Sequence, residues 1–349
     1  MHISELDTPV AVVDLDRVHA NIERLQVYLD RHGIHNRPHI KTHKIPEIAH
    51  MQLAAGAVGI TCQKLDEAEA MAGAGIQEIF LPYNILGERK LERLMLLSRR
   101  ANLSVTADSE VVVRGLSAAA SREGATLPVL VEFDSGTHRC GVVSPQQAAD
   151  LARLIARAPG LHFGGLMTYP STELTDPFVR ETRALLRADG LALEVVSGGG
   201  TPKMWEAHTH AEVTEHRAGT YVYGDRFMLA AGAVQPEHCA LSVITTVVSR
   251  PTRDRAILDG GSKTFSSDTL GLEGFGLILE YPRARLSTLS EEHGTVDLSD
   301  SPEQPEIGER VTVIPNHCCV VSNLFNQVIG VRNGAVEVTW PVAARGGVR

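Results

Sequence analysis

A chain of 349 residues with a formal charge of −9 is long enough for one large domain or two ordinary ones. Its acidic balance speaks against a nucleic-acid binder, and no run of about 18 apolar residues offers a membrane span. The beginning MHISELDTPV lacks the features of a secretory signal, and five scattered cysteines in a chain this long suit reduced thiols, so a cytoplasmic protein is expected.

The segment TPVAVVDL reads as a strand that either of two domains could use. From there, short β-branched runs alternate with helical patterns. HIK at 39–41, then 57–61, 78–82, 103–107, 128–133, 163–168, 193–197 and the region near 216–222 read as about eight buried strands. Helical segments lie at 63–73, 87–100, 109–122 and 145–157. Eight strands alternating with helices predict an α/β fold, a parallel (β/α)8 barrel of the TIM type. After residue 235 the texture turns β-rich, in CALSVITTVVSR, RAILDGG, RVTVIP, NQVIGVR and AVEVTW. The expected domains are therefore a barrel over 1–235, with about the first ten residues assignable to the other domain, and a C-terminal β domain over 236–349. Residues 286–307, rich in Ser, Glu and Pro, read as a surface loop.

Functional groups in such a barrel gather at the C-terminal ends of its strands. RPHIKTHK (37–44) puts Lys41 at one such end, sharing a face with His39. An amine held among other cations and partly out of water becomes a usable nucleophile toward an aldehyde. SGGGTP (197–202) and HRAGTYVYGD (216–225) are Gly-centred turns at the last two strand ends, where barrels of this kind hold phosphate. A lysine nucleophile beside a phosphate cradle points to pyridoxal 5'-phosphate (PLP). In EFDSGTHRCG (132–141), Arg139 can donate to a phenolate or carboxylate oxygen. In IPNHCCVVSN (314–323), His317 and Cys319 are two apart, so on an extended strand both side chains would reach one metal ion. Imidazole plus thiolate suits zinc, and two protein ligands leave positions open, as a catalytic site requires.

These segments, with GAVGITCQKLDEAEAM and the closing WPVAARG, resemble the D-threonine aldolase and D-serine dehydratase family of fold-type III PLP enzymes, related to alanine racemase. The resemblance spans almost the whole chain. It implies a PLP barrel with a C-terminal β domain and a homodimer with shared active sites. It makes Lys41 the Schiff-base lysine and gives the phosphate to Gly199, Gly200, Thr201, Gly219 and Thr220. Arg139 would meet the phenolic oxygen with Gln63 nearby, and His39 would line the pocket. Tyr169, rather than Arg217, would meet the pyridine nitrogen. His317 and Cys319 would bind a divalent metal, zinc or manganese with magnesium a third option, and through it the β-hydroxyl of a small D-amino acid. The implied reaction is retro-aldol cleavage to glycine and an aldehyde; the alternative is β-elimination to a 2-oxo acid and ammonia. A racemase and a non-catalytic PLP-binding protein are remoter alternatives. Two departures bear on this choice. The family's aldolases usually pair the metal histidine with Asp, whereas its dehydratases tend to use Cys, as here. The aldolases also tend to carry a histidine six residues after the strand-end tyrosine, where this chain has Thr175.

Overall fold

The computed structural model describes residues 1–349. The chain gathers into two compact units, one of Arg24–Lys41, Pro46–Gly219 and Gly347–Arg349, the other of Met1–Glu23, Thr42–Ile45 and Thr220–Gly346. The division thus falls at 219/220, where sequence texture suggests 235/236.

The first unit is built on eight parallel strands: His35–Asn36, Ile60–Thr61, Glu78–Asn84, Asn102–Ala107, Leu127–Glu132, Leu161–Met167, Val196–Gly198 and Glu215–His216. Each pairs with the next from Ile60 onward, and the last pairs with the first. The remaining seam is closed by a parallel bridge between His39 and Thr61, with the Val58 and Thr61 amides donating to the Asn36 and Pro38 carbonyls at 2.9 and 2.8 Å. The expected helices appear as Leu65–Gly73, Glu88–Ser98, Glu110–Glu123 and Pro145–Arg157. Two further helices are Pro46–Ala54 and Thr175–Arg187. Local chemistry sets their ends. The Ser144 hydroxyl accepts from the Gln147 amide ahead of Pro145, and Gly124 ends its helix in the left-handed conformation at φ 61°. Each helix turns an apolar stripe inward, and Leu116, Val105, Val129 and Ile155 are wholly buried in one core. Leu116→Ala should lower unfolding stability by about 2–5 kcal/mol, read as a fall in the urea midpoint at unchanged slope.

The second unit is a mostly antiparallel sheet. Val10–Asp14 lies within it, antiparallel to Leu241–Thr252 and parallel to Gln327–Arg332. Arg255–Leu258, Gly294–Asp297 and Arg285–Leu289 extend one side by antiparallel pairing; Ala335–Pro341 flanks the other. The structure corrects three expectations. Residues 286–307 are not one loop, because Arg285–Leu289 and Gly294–Asp297 form a hairpin with Leu286 and Val296 buried. The segment 39–41 is not a strand: pairing ends at Asn36 apart from the His39 bridge, and Ile40–Thr42 is a 3-10 turn. His317 and Cys319 do not share a strand either. Arg310–Pro315 ends before them, and a helix, Cys318–Leu324, begins with His317 as its N-cap. No helix is long and apolar enough to cross a membrane, and all five cysteines are free thiols.

Candidate active site

Within the barrel unit, one cavity is lined by His39, Lys41, Gln63, Pro82, Arg139, Met167, Tyr169 and Arg217. Residues separated by 176 positions meet there because each closes or follows a strand at the same end of the barrel. His39 Nε2 lies 2.9 Å from Gln63 Oε1, and its Nδ1 accepts from the Lys41 backbone amide at 3.4 Å. Both ring nitrogens are thus engaged, and the histidine stands as a wall rather than a free base. The Arg139 guanidinium stacks 5.0 Å from the centre of the Tyr169 ring and lies 4.0 Å from the Glu132 carboxylate. Burial, opposed by the Arg139 charge, raises the Glu132 carboxyl to about 7. The lining contains Lys41, Arg139 and Arg217 but no carboxylate, which fits an anionic, phosphate-bearing ligand.

The glycine segment sits beside this cavity. A Cβ on Gly200 would lie 3.1 Å from the Tyr169 ring, so only glycine leaves that space open. Gly199 has φ +95°, and a Cβ there would lie 2.2 Å from His216 Nδ1. Gly199→Ala should therefore cost at least roughly 1–3 kcal/mol of strain in addition to the clash, measured by denaturant unfolding. The Gly199 amide donates to Ser171 Oγ at 2.8 Å, and the Gly219 amide to Thr201 Oγ1 at 3.2 Å. Thr220 belongs to the other unit, where its hydroxyl lies 3.7 Å from Cys319 Sγ. Thr175 is buried, and its hydroxyl accepts from the Thr172 amide at 2.9 Å, so it closes the turn before its helix.

His216 points to the opposite face of its strand and is buried. Burial, reinforced by the Arg217 charge, lowers its imidazole to about 4. Between pH 6.5 and 4 the unfolded chain takes up this proton and the folded chain does not. Stability contributed by neutral His216 is therefore present above about 6.5 and lost as pH falls toward 4, by about 3 kcal/mol at most. His216→Gln should flatten the stability-versus-pH curve in that window, as followed by urea titration at fixed pH values.

In the second unit, His317 Nδ1 lies 2.9 Å from Asp268 Oδ2, and Cys319 Sγ lies 3.3 Å from Thr42 Oγ1. The Cys318 thiol, His317 and Thr42 hold the Cys319 thiol well below the usual cysteine range, against the effect of burial. Burial pulls His317 down, but Cys319 and Asp268 outweigh it and raise the imidazole to about 9. The pair is a thiolate beside an imidazolium oriented by a carboxylate, and once that proton is displaced the imidazole and thiolate form a donor set that suits a borderline-soft divalent cation. No cluster of three or more His, Cys, Asp or Glu is arranged to hold a metal. Asp268 and Thr42 were not foreseen; nothing in their local sequence marks them.

The remaining members of RPHIKTHK have other duties. His43 is fully buried and accepts the Ile45 amide at 3.1 Å. Lys44 is buried at φ +53° with its Nζ 2.9 Å from Asn323 Oδ1.

The alanine racemase N-terminal domain matches residues 13–227, and a putative serine dehydratase domain matches residues 240–331. A D-threonine aldolase from Arthrobacter is 35% identical, over 99% of this chain and 94% of its own. A D-threo-3-hydroxyaspartate dehydratase from Delftia is 34% identical, over 96% of this chain and 97% of its own. The crystal structure of D-threonine aldolase from Filomicrobium marinum superposes with a TM-score of 0.91 at 34% identity, covering 99% of this chain and 97% of that one. The chain belongs to the alanine racemase-like family of fold-type III PLP enzymes. It is a PLP-dependent lyase of the aldolase and dehydratase kind.

Proposed function

We propose that this lyase acts on β-hydroxy D-amino acids, in the manner of a D-threonine aldolase, cleaving Cα–Cβ to give glycine and an aldehyde. The observation that carries this reading is the cavity in which Lys41, Arg139, Gln63 and Tyr169 converge, in a chain alignable end to end with such an aldolase. PLP, when bound, supplies an electron sink for negative charge at the substrate's Cα. Lys41 would hold the cofactor and is the cavity amine that would move a proton at the substrate. Arg139 and Gln63 would hold the ring oxygen side, Tyr169 the ring nitrogen, and Gly199, Gly200, Thr201, Gly219 and Thr220 the phosphate. His317 and Cys319 would hold zinc or manganese, which supplies a Lewis acid for the β-hydroxyl. Exposed apolar side chains at Tyr83, Leu86, Val111, Val143 and Leu174 follow or close strands at the barrel's functional end, and support a homodimer that covers this rim.

One observation favours a second outcome, β-elimination to a 2-oxo acid and ammonia. The second metal donor is a cysteine, and a cysteine-to-alanine variant of a D-threo-3-hydroxyaspartate dehydratase is known in a metal-free form, superposing at a TM-score of 0.87 and 31% identity. The two outcomes differ in which proton is taken, that of the β-hydroxyl by a base or that of Cα by Lys41. Incubation with D-threonine and with D-serine, with and without chelator, distinguishes them. Glycine from D-threonine supports the aldolase; pyruvate from D-serine without any glycine from D-threonine replaces it with the dehydratase.

A further inference from the structure

Arg217 is buried at the wall of the Lys41 cavity, and its guanidinium is not free to turn. Nη1 donates to Ser197 Oγ at 2.6 Å and Nη2 to the Thr168 carbonyl at 2.7 Å. The Ser197 hydroxyl donates in turn to Glu215 Oε1 at 2.5 Å, and Glu215 Oε2 accepts from Arg37 Nε at 2.6 Å. The strand register explains the row. Ser197 pairs with Glu215 across neighbouring parallel strands, and Glu215 and Arg217, two apart, share the inward face that His216 leaves. Arg37 and Glu215 also line a second cavity, of about 710 Å³, so the row reaches from that cavity to the one holding Lys41. Apolar side chains would fill a barrel interior at lower desolvation cost. What this row supplies instead is one cation held in one orientation.

We infer that Ser197 and Glu215 are positioning residues for the cofactor: they fix the Arg217 guanidinium, and the charge balance around it, at the wall of the Lys41 cavity. The inference rests on the placement of PLP in that cavity. Neither residue touches the ring; each acts through Arg217. Loss of either lets the guanidinium turn or leaves its charge unbalanced, and the protonation of the bound ring system shifts in response.

The test is the pH titration of the cofactor's visible absorbance in reconstituted holoenzyme, for wild type, Ser197→Ala, Ser197→Thr and Glu215→Gln. Ser197→Ala and Glu215→Gln should move the midpoint by about one pH unit and lower kcat roughly tenfold with KM little changed. Ser197→Thr, which keeps the hydroxyl, should restore both. If Glu215→Gln does not fold, the Ser197 pair decides alone. A normal wild-type band with unmoved midpoints in the substituted proteins, whatever their thermal stability, overturns this inference only. The absence of any cofactor band in wild type overturns the cavity reading, and the inference with it.

Discussion

Lys41→Ala should abolish the visible absorbance that PLP acquires on joining a lysine, and should lower turnover by at least about 10²–10⁴-fold. Two losses coincide in this variant. On the proposed reading the cofactor loses its covalent anchor, and the cavity loses the amine that would move the substrate proton, both His39 nitrogens being already engaged. Lys44→Ala is the informative contrast. Lys44 is buried against Asn323, so its removal should cost stability and leave the absorbance band intact. A Lys41→Ala protein that kept both colour and turnover would place the chemistry elsewhere.

The second large effect belongs to the His317–Cys319 pair. On the proposed reading His317→Ala removes one of two protein donors, and it leaves the Cys319 thiolate without its imidazole partner. Asp268→Asn leaves both donors in place but removes the carboxylate that orients the imidazole at 2.9 Å. Loss of such an orienting partner costs roughly 10–100-fold in metal affinity or activity, and loss of a ligand should cost more. The expected order of metal affinity, by titration with zinc and with manganese, is wild type, then Asp268→Asn, then His317→Ala. Chelator should inactivate wild type, and added metal should restore it. Unchanged metal affinity in His317→Ala would dismiss the pair as ligands.

Much of the barrel was legible in the sequence because its longer strands are continuous apolar runs between amphipathic helices, as at 78–84, 127–132 and 161–167. The shortest pairings were not. At 37–44 the regular strand ends at Asn36, although the Arg37 and His39 amides still donate to the His216 and Ala218 carbonyls, and Lys41 stands on a tight turn. The convergence of His39 and Lys41 on one cavity was foreseen, although by a strand periodicity that the backbone does not follow. The same holds at 314–323. There the i, i+2 argument assumed a strand, yet an extended His317 at the start of a helix brings its ring to Cys319 by another route. The hairpin at 285–297 was hidden by its Ser- and Glu-rich composition, since only Leu286 and Val296 announce its inward face. Asp268 and the Arg37–Glu215–Ser197–Arg217 row depend on contacts between distant segments, which no local pattern records.

Borohydride reduction of the holoenzyme followed by peptide mapping tests the role of Lys41 directly. The pyridoxyl group should be found on Lys41 alone, in a peptide covering 37–44. Its recovery on Lys44, Lys64 or Lys203, or on no lysine at all, would contradict the placement of the cofactor and the reaction built upon it.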